Sequence, residues 1–313
     1  MDAVPTLFME DVFIILGQRG LSNAKQLSSP WSLEAEATQN KIHVLMVFTD
    51  FELGKILVTA RPRIELCAVG GRNDVPLSSV DSKFITQFHV RDVNYNGEDY
   101  PTEWKEITLD HAQRLINVVR PKIERRKPLK YNRYDSNRLN ITRIDAEKDK
   151  WDLGRTLLSM RLPVDDIYIS NIDGYESEIE KFFENLGPLY NIWISHSAAS
   201  NLSSRCFDLL CEKFVPTNGG ILRFEKYVSR EQLEKLVLKC EMSETKVYFE
   251  VMFADFEGER TLQKIFNFEK LYSKTKFEEG YFFALKEGAK LEVIVRDLGA
   301  EVEWGWDTIT VNI

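Results

Sequence analysis

Asp166-Ile167-Tyr168-Ile169-Ser170-Asn171 and Tyr190-Asn191-Ile192-Trp193-Ile194-Ser195 decide how this chain is read. In each, aliphatic residues alternate with aromatic or polar ones, the period of a β-strand. Between them Ile179, Phe182, Phe183 and Leu186 fall at i, i+3, i+4 and i+7, one apolar stripe of a helix. Gly187-Pro188 then stops that helix. The same unit recurs on both sides. Strands are expected at Leu139–Ile144, Asp166–Ile172, Tyr190–Ser195, Gly220–Tyr227 and Lys246–Phe253. Their central residues Ile141, Ile167, Ile192, Leu222 and Val247 are spaced by 26, 25, 30 and 25 residues. Helical stripes accompany them at Leu109/Ala112/Ile116/Val119, at Leu202/Cys206/Leu209/Leu210 and at Leu233/Leu236/Val237/Cys240, the last opened by the capping-box pair Ser229 and Gln232. One strand and one helix cannot bury their apolar faces alone, whereas stacked copies can. The spacing therefore predicts an α/β chain built as an irregular leucine-rich-repeat-like strand–helix array. A doubly wound α/β domain has the same alternation and stays open as the rival.

The flanks differ. Residues 1–40 read as a small helical module, with Phe8, Val12 and Ile15 on one face, Pro5 ahead of it, and Gly17 and Gly20 ending the element. Glu34–Gln39 suggests a further helical turn. Residues 41–82 read as a β-meander and linker, with strands at Ile42–Phe48, Ile56–Thr59 and Ile64–Val69 and a loop at Arg72–Ser82. The array takes residues 83–256. Residues 257–313 read as a C-terminal β cap, with a helix at Thr261–Phe266 and strands at Tyr281–Leu285, Leu291–Val295 and Thr308–Ile313. Lys286–Ala289 would turn between the first two strands. Trp304-Gly305-Trp306 puts two aromatics on one face of an extended segment, where burial is expected.

The 313 residues are 43% hydrophobic and 29% charged, and carry 41 Lys/Arg against 49 Asp/Glu. The net charge of −8 argues against a dedicated nucleic-acid coat or a membrane-surface protein. The apolar run Val12–Leu16 is far short of the ~20 residues that span a bilayer. With Cys67, Cys206, Cys211 and Cys240 unlike a disulfide framework, and no basic leader, the chain is expected to be reduced, soluble and intracellular, cytoplasmic or nuclear. His43, His89, His111 and His196 are scattered, and no metal or other cofactor is expected. There is no GxGxxG, Walker loop or Gly-x-Ser-x-Gly elbow. Asp165-Asp166 point to opposite faces of a strand, and Ser195-His196 is adjacency rather than a dyad. The expectation is a binding protein without catalysis.

Two segments are candidates for binding. The opening Val4-Pro5-Thr6-Leu7-Phe8-Met9-Glu10-Asp11-Val12-Phe13-Ile14-Ile15-Leu16 pairs an aliphatic residue with proline and follows it with spaced apolar helix positions. Leu27 and Trp31 supply later apolar positions. This stretch resembles an F-box, and more closely the start of nematode F-box-like proteins, over roughly residues 1–40. The resemblance implies a substrate receptor of a cullin-type ubiquitin ligase. It would dock on a Skp-type adaptor through Pro5, Phe8, Val12, Ile15 and Leu16 and hold an unknown substrate protein on its repeats. The alternative is a stand-alone partner-binding protein, toxin- or antidote-like, with Phe8, Val12 and Ile15 packed inside its own fold.

The second candidate lies between Arg114 and Arg143, where ten Lys/Arg face only Glu124 and Asp135, a local net of +8. Arg120, Lys122, Arg125, Arg126, Lys127, Lys130 and Arg133, interleaved with Tyr131 and Tyr134, could form a surface for an acidic partner or for RNA. A solvated helix end followed by a loop is the competing reading, since Pro121 and Pro128 favour a loop and late basic residues suit a helix dipole.

Overall fold

In the computed structural model the described residues are 4–64, 73–93, 103–123, 130–243, 245–253, 272, 274–278, 281–285, 292–297 and 301–307. The chain is mixed α/β and forms two compact units, Met1–Lys127 with Asn132–Val164, and Pro128–Tyr131 with Asp165–Ile313.

The first unit opens with two helices, α1 (Thr6–Ala24) and α2 (Pro30–Lys41). Strands β1 (His43–Asp50) and β2 (Lys55–Pro62) follow as an antiparallel hairpin. Both are buried along their length, which is why they read as near-continuous apolar runs. Gly54 closes the hairpin at φ 66°, and the Leu53 amide donates to Asp50 Oδ1 at 2.8 Å. Of the expected third meander strand, Ile64–Val69, only Ile64 is described, and it lies in a 3-10 turn. Strand β3 (Ile85–Asp92) instead pairs in parallel with β1, so the segments assigned to the meander and to the array share one sheet. Next come the edge strand β4 (Lys105–Ile107) and helix α3 (Leu109–Ile123), which buries Ala112, Ile116 and Val119. Strand β5 (Arg138–Ile141), the two-residue β6 (Ile144–Asp145) and helix α4 (Leu153–Ser159) complete the unit. Its sheet runs β4-β2-β1-β3-β5, with β1, β3 and β5 parallel.

The second unit alternates strand and helix: β7 (Asp166–Ile169), β8 (Ile172–Asp173), α5 (Glu176–Asn185), β9 (Asn191–Ile194), α6 (His196–Asn201), α7 (Ser204–Lys213), β10 (Gly220–Val228), α8 (Arg230–Ser243) and β11 (Val247–Phe253). Strands β7, β9, β10 and β11 are parallel and neighbour one another in chain order. Ile167, Ile192, Leu222 and Phe249 form one cross-strand row, and Ile169, Ile194, Phe224 and Val251 another; all eight are buried. Helix α5 packs on α7 and α7 on α8. Their buried stripes are Ile179/Phe182/Phe183, Cys206/Phe207/Leu210/Cys211 and Leu233/Leu236/Val237/Cys240. In α7 the buried aromatic is Phe207, while Leu209 is half-buried, a rotation of the expected stripe. The capping box forms as the spacing implies: Gln232 accepts the Ser229 amide at 3.1 Å, and the Gln232 amide donates to the Ser229 hydroxyl at 3.3 Å.

At β11 the parallel run ends. Strands β12 (Lys274–Glu278), β13 (Tyr281–Leu285), β14 (Glu292–Asp297) and β15 (Glu301–Asp307) form an antiparallel meander whose last strand pairs with β11. The expected Tyr281–Leu285 strand is found. The helix at Thr261–Phe266, the turn Lys286–Ala289 and the strand Thr308–Ile313 lie outside the described residues. Trp304 and Trp306 sit on the β15 backbone, and their side chains are outside the description too.

Candidate functional site

Helix α1 is apolar on both sides, and only one side is covered. Pro5 stands at its N-cap, and its carbonyl accepts the amides of Phe8 at 3.0 Å and Met9 at 3.2 Å. At 100° per residue, Met9 and Phe13 fall on one side, while Leu7, Phe8, Asp11, Val12, Ile15 and Leu16 share the other. The inner side packs with Leu21, Ala24, Ala35 and Ile42, and Trp31 meets Phe13 edge-to-face at 5.7 Å. On the outer side Leu7 is 70% exposed, Phe8 56%, Ile15 53% and Leu16 50%. Val12 is half-buried, and Pro5 is exposed. Leu27 and Leu33 of the same helical pair are exposed as well. Clustered exposed leucine, isoleucine and phenylalanine mark an interaction surface.

Gly17 shapes this surface. Its φ of 69° and ψ of −169° break the helix and let it restart, so the chain stays helical to Ala24 rather than ending at Gly17. This backbone region is essentially reserved for glycine. Gly20 completes the kink, since a Cβ there would lie 2.3 Å from Leu16 Cβ.

A buried carboxylate fixes α1 to its unit. Glu10 is 4% exposed. Its Oε1 meets Lys41 Nζ at 2.7 Å and its Oε2 meets Lys83 Nζ at 2.5 Å. Both ammonium groups also lie over the Phe84 ring, at 5.5 and 4.6 Å from its centroid. Hydrogen bonds from Lys41 and then Lys83 hold the Glu10 carboxyl below the usual carboxylate range, against the opposing effect of burial. One residue of α1 is thereby tied to the end of α2 and to the turn that leads into β3, which holds the outer face in a fixed orientation. Sequence reasoning overlooked Glu10. The signal was a carboxylate on the side of the helix that carries Met9 and Phe13.

Only part of the basic segment lies among the described residues. Arg114 pairs with Asp110 on the exposed side of α3. Arg120 and Lys122 lie on the last turn of α3, with side chains outside the description, and Arg125, Arg126 and Lys127 lie outside the described residues. Lys130 is exposed in the second unit, where it bridges to Asn218. Arg133 belongs to a short 3-10 turn in the first, and its carbonyl accepts from Arg138 at 2.9 Å. Tyr131 is not an exposed stacking platform. It is 7% exposed, stacks on Tyr190 with centroids 6.0 Å apart, and its hydroxyl donates to buried Asp166 at 2.9 Å.

Asp166, Ser195 and His196, weighed for catalysis, each have hydrogen-bond partners within the second unit. Asp166 also accepts from Asn191 Nδ2 at 2.8 Å. The Ser195 hydroxyl donates to the Ser170 carbonyl, and the His196 amide to Glu225. Burial, reinforced by Arg138, pushes the His89 pKa down to about 3, so its ring is neutral. Cys206, Cys211 and Cys240 are buried, and burial raises the first two to about 12; Cys67 lies outside the described residues. Among the described residues no cluster of three or more His, Cys, Asp and Glu could hold a metal ion, and no helix is long and apolar enough to cross a membrane.

No family model, curated protein or solved structure matches this chain.

Proposed function

We propose that this chain is a non-enzymatic protein-interaction adaptor that docks through the outer face of α1. The carrying observation is that Phe8 and Ile15 remain 56% and 53% exposed while Met9 and Phe13 of the same helix are buried. A stand-alone fold using Phe8, Val12 and Ile15 as its own core would have covered them. With the F-box resemblance of residues 1–40, the partner is a Skp-type adaptor of a cullin ubiquitin ligase. The outer face supplies the spaced apolar anchors with which a helix enters a hydrophobic groove. Fully burying such a side chain is worth about 1.5–3 kcal/mol. Taking up the half that is still exposed on Phe8, Ile15 and Leu16 gives roughly 1 kcal/mol each, the scale of interface anchors.

The body carries the second protein. Chain-order neighbours β7, β9, β10 and β11, with α5, α7 and α8 packed in succession, support an irregular leucine-rich-repeat-like array in the second unit. Such an array covers one sheet face with helices and leaves the other for a substrate protein. In this reading the chain acts inside the cell, where the ligase resides.

The test is a pull-down of the full chain with a Skp-type adaptor. Binding by the parent and at least tenfold weaker binding by the Phe8→Ala/Ile15→Ala double variant are expected. Both side chains point outward, so the variant's melting temperature should stay within a few degrees of the parent's. No binding by the intact parent chain overturns the adaptor assignment.

A further inference from the structure

The sheet face of the second unit that is turned away from the buried isoleucine rows carries a strip of aromatic and charged side chains. In the strand register Tyr168 pairs with Trp193, Trp193 with Arg223 and Arg223 with Glu250. Tyr168 and Trp193 meet edge-to-face at 5.0 Å. The Arg223 guanidinium lies 5.0 Å from the Trp193 ring centroid and 5.3 Å from that of Tyr248. Glu250 stands 3.2 Å from Arg223 Nε and accepts the Tyr248 hydroxyl at 2.9 Å. Glu225 accepts the Trp193 indole N–H at 3.0 Å and the His196 amide at 2.9 Å. None of these side chains is sealed off: Arg223 and Glu250 keep 34% and 28% of their side-chain surface in solvent.

Three properties of the strip bear on what it binds. Its residue types are those that dominate interface energetics, tryptophan, tyrosine and arginine. Its members are already held by one another, so little side-chain entropy remains to be lost on binding. Its charge is negative, two carboxylates against one guanidinium that Glu250 already neutralises. Ring faces beside a surplus carboxylate attract a cation.

We propose that this strip binds a basic, arginine- or lysine-bearing segment of the partner protein, its cationic groups engaging Glu225, Glu250 and the Trp193 and Tyr248 rings. The proposal rests on the adaptor reading only in taking the sheet face as the place where the second protein sits.

The full chain is titrated into a fluorescein-labelled peptide of about twelve residues alternating arginine and serine, with anisotropy read at about 50 mM and 300 mM salt. A glutamate–serine peptide and a single-stranded RNA of similar length are run alongside. Saturable binding of the basic peptide alone is expected. Glu225→Gln/Glu250→Gln, which keeps shape and removes charge, should weaken it about tenfold, and Trp193→Ala should weaken it several-fold. Glu184→Gln/Glu234→Gln, on exposed positions of α5 and α8, should change it less than twofold. No binding of the basic peptide overturns the proposal, as do equal losses in the two glutamine pairs or tighter binding of the RNA. Phe8→Ala/Ile15→Ala should leave peptide affinity unchanged. A failed adaptor pull-down with intact peptide binding would remove the docking partner and leave this site standing.

Discussion

Replacing Glu10 by Gln tests whether the carboxylate anchors α1. The side chain is 5% exposed and receives two ammonium groups, from Lys41 at 2.7 Å and Lys83 at 2.5 Å. A hydrogen bond to a charged group contributes about 1.5–3 kcal/mol where both partners are buried. Here the lysines keep 47% and 43% of their side-chain surface in water, and glutamine still offers one acceptor oxygen. The two bonds together should therefore contribute about 2 kcal/mol rather than their full sum. For a unit of this size that loss lowers the melting temperature by about 4–8 °C. The readout is thermal or urea unfolding followed by tryptophan emission, since Trp31 sits against Phe13 in the same helical pair. The deficit should also depend on pH, with a sign fixed by the direction of the shift. The folded Glu10 carboxyl is held below its ordinary value. Its stabilisation is thus fully present above the unfolded carboxyl's value of about 4.3 and is lost as pH falls through the folded one. The gap between parent and Glu10→Gln should be widest at neutral pH and should narrow below about pH 4. An unchanged midpoint at neutral pH, or a gap of the same size at pH 3 and pH 7, would refute the anchor.

Two further outcomes follow from single features. Gly17→Ala forces a Cβ into a backbone region used almost only by glycine, so it should destabilise the first unit by about 1–3 kcal/mol; differential scanning calorimetry reads this as a lower first transition, and a wild-type melt would contradict the kink. The Cys206, Cys211 and Cys240 thiols are buried, and they should resist alkylation by iodoacetamide at pH 8 in the folded chain and react fully in guanidinium. Peptide mass mapping resolves the individual sites, and rapid labelling of any of the three in the native chain would contradict their burial.

The second unit was legible because its strands and helices bury themselves in the ways their periods imply. The strand expectations at Asp166, Tyr190, Gly220 and Lys246 match β7, β9, β10 and β11 to within a few residues, and the 25–30-residue spacing corresponds to adjacent parallel strands. Strand β3 shows why the first unit was harder. Ile85-Thr86-Gln87-Phe88-His89-Val90-Arg91-Asp92 has apolar residues only at 85, 88 and 90, and Gln87 and His89 are buried polar residues, so a search for apolar alternation passes it by. The parallel pairing of β1 with β3 is non-local, and nothing in a meander-like run of short strands separates it from a third hairpin strand. Strand β15 was hidden for a related reason: Glu301-Val302-Glu303-Trp304-Gly305 alternates, but glycine and two glutamates lower its strand propensity.

For the candidate site, sequence named the helix but could not say which face was exposed. An amphipathic helix declares its outside by being polar there, and α1 makes no such declaration. Leu7, Phe8, Val12, Ile15 and Leu16 read the same whether they line a core or a partner's groove. What separates the cases is how much apolar surface the rest of the chain can bring to bear, a tertiary quantity. Trp31, Ala35 and Ile42 from the second helix and its exit join Leu21 and Ala24 in the cluster that buries Met9 and Phe13. Glu10 adds the other half of the argument. A carboxylate on the covered side, clamped by lysines from α2 and from the turn before β3, prevents the helix from rolling to bury its outer face. Such a roll would give up both lysine contacts, about 2 kcal/mol, and turn buried Met9 and Phe13 out to water at about 1.5–3 kcal/mol each, more than covering Phe8, Ile15 and Leu16 at roughly 1 kcal/mol each would return. The exposed face of α1 is therefore maintained by the same contact that anchors the helix, and a variant that loosens Glu10 should weaken adaptor binding along with stability.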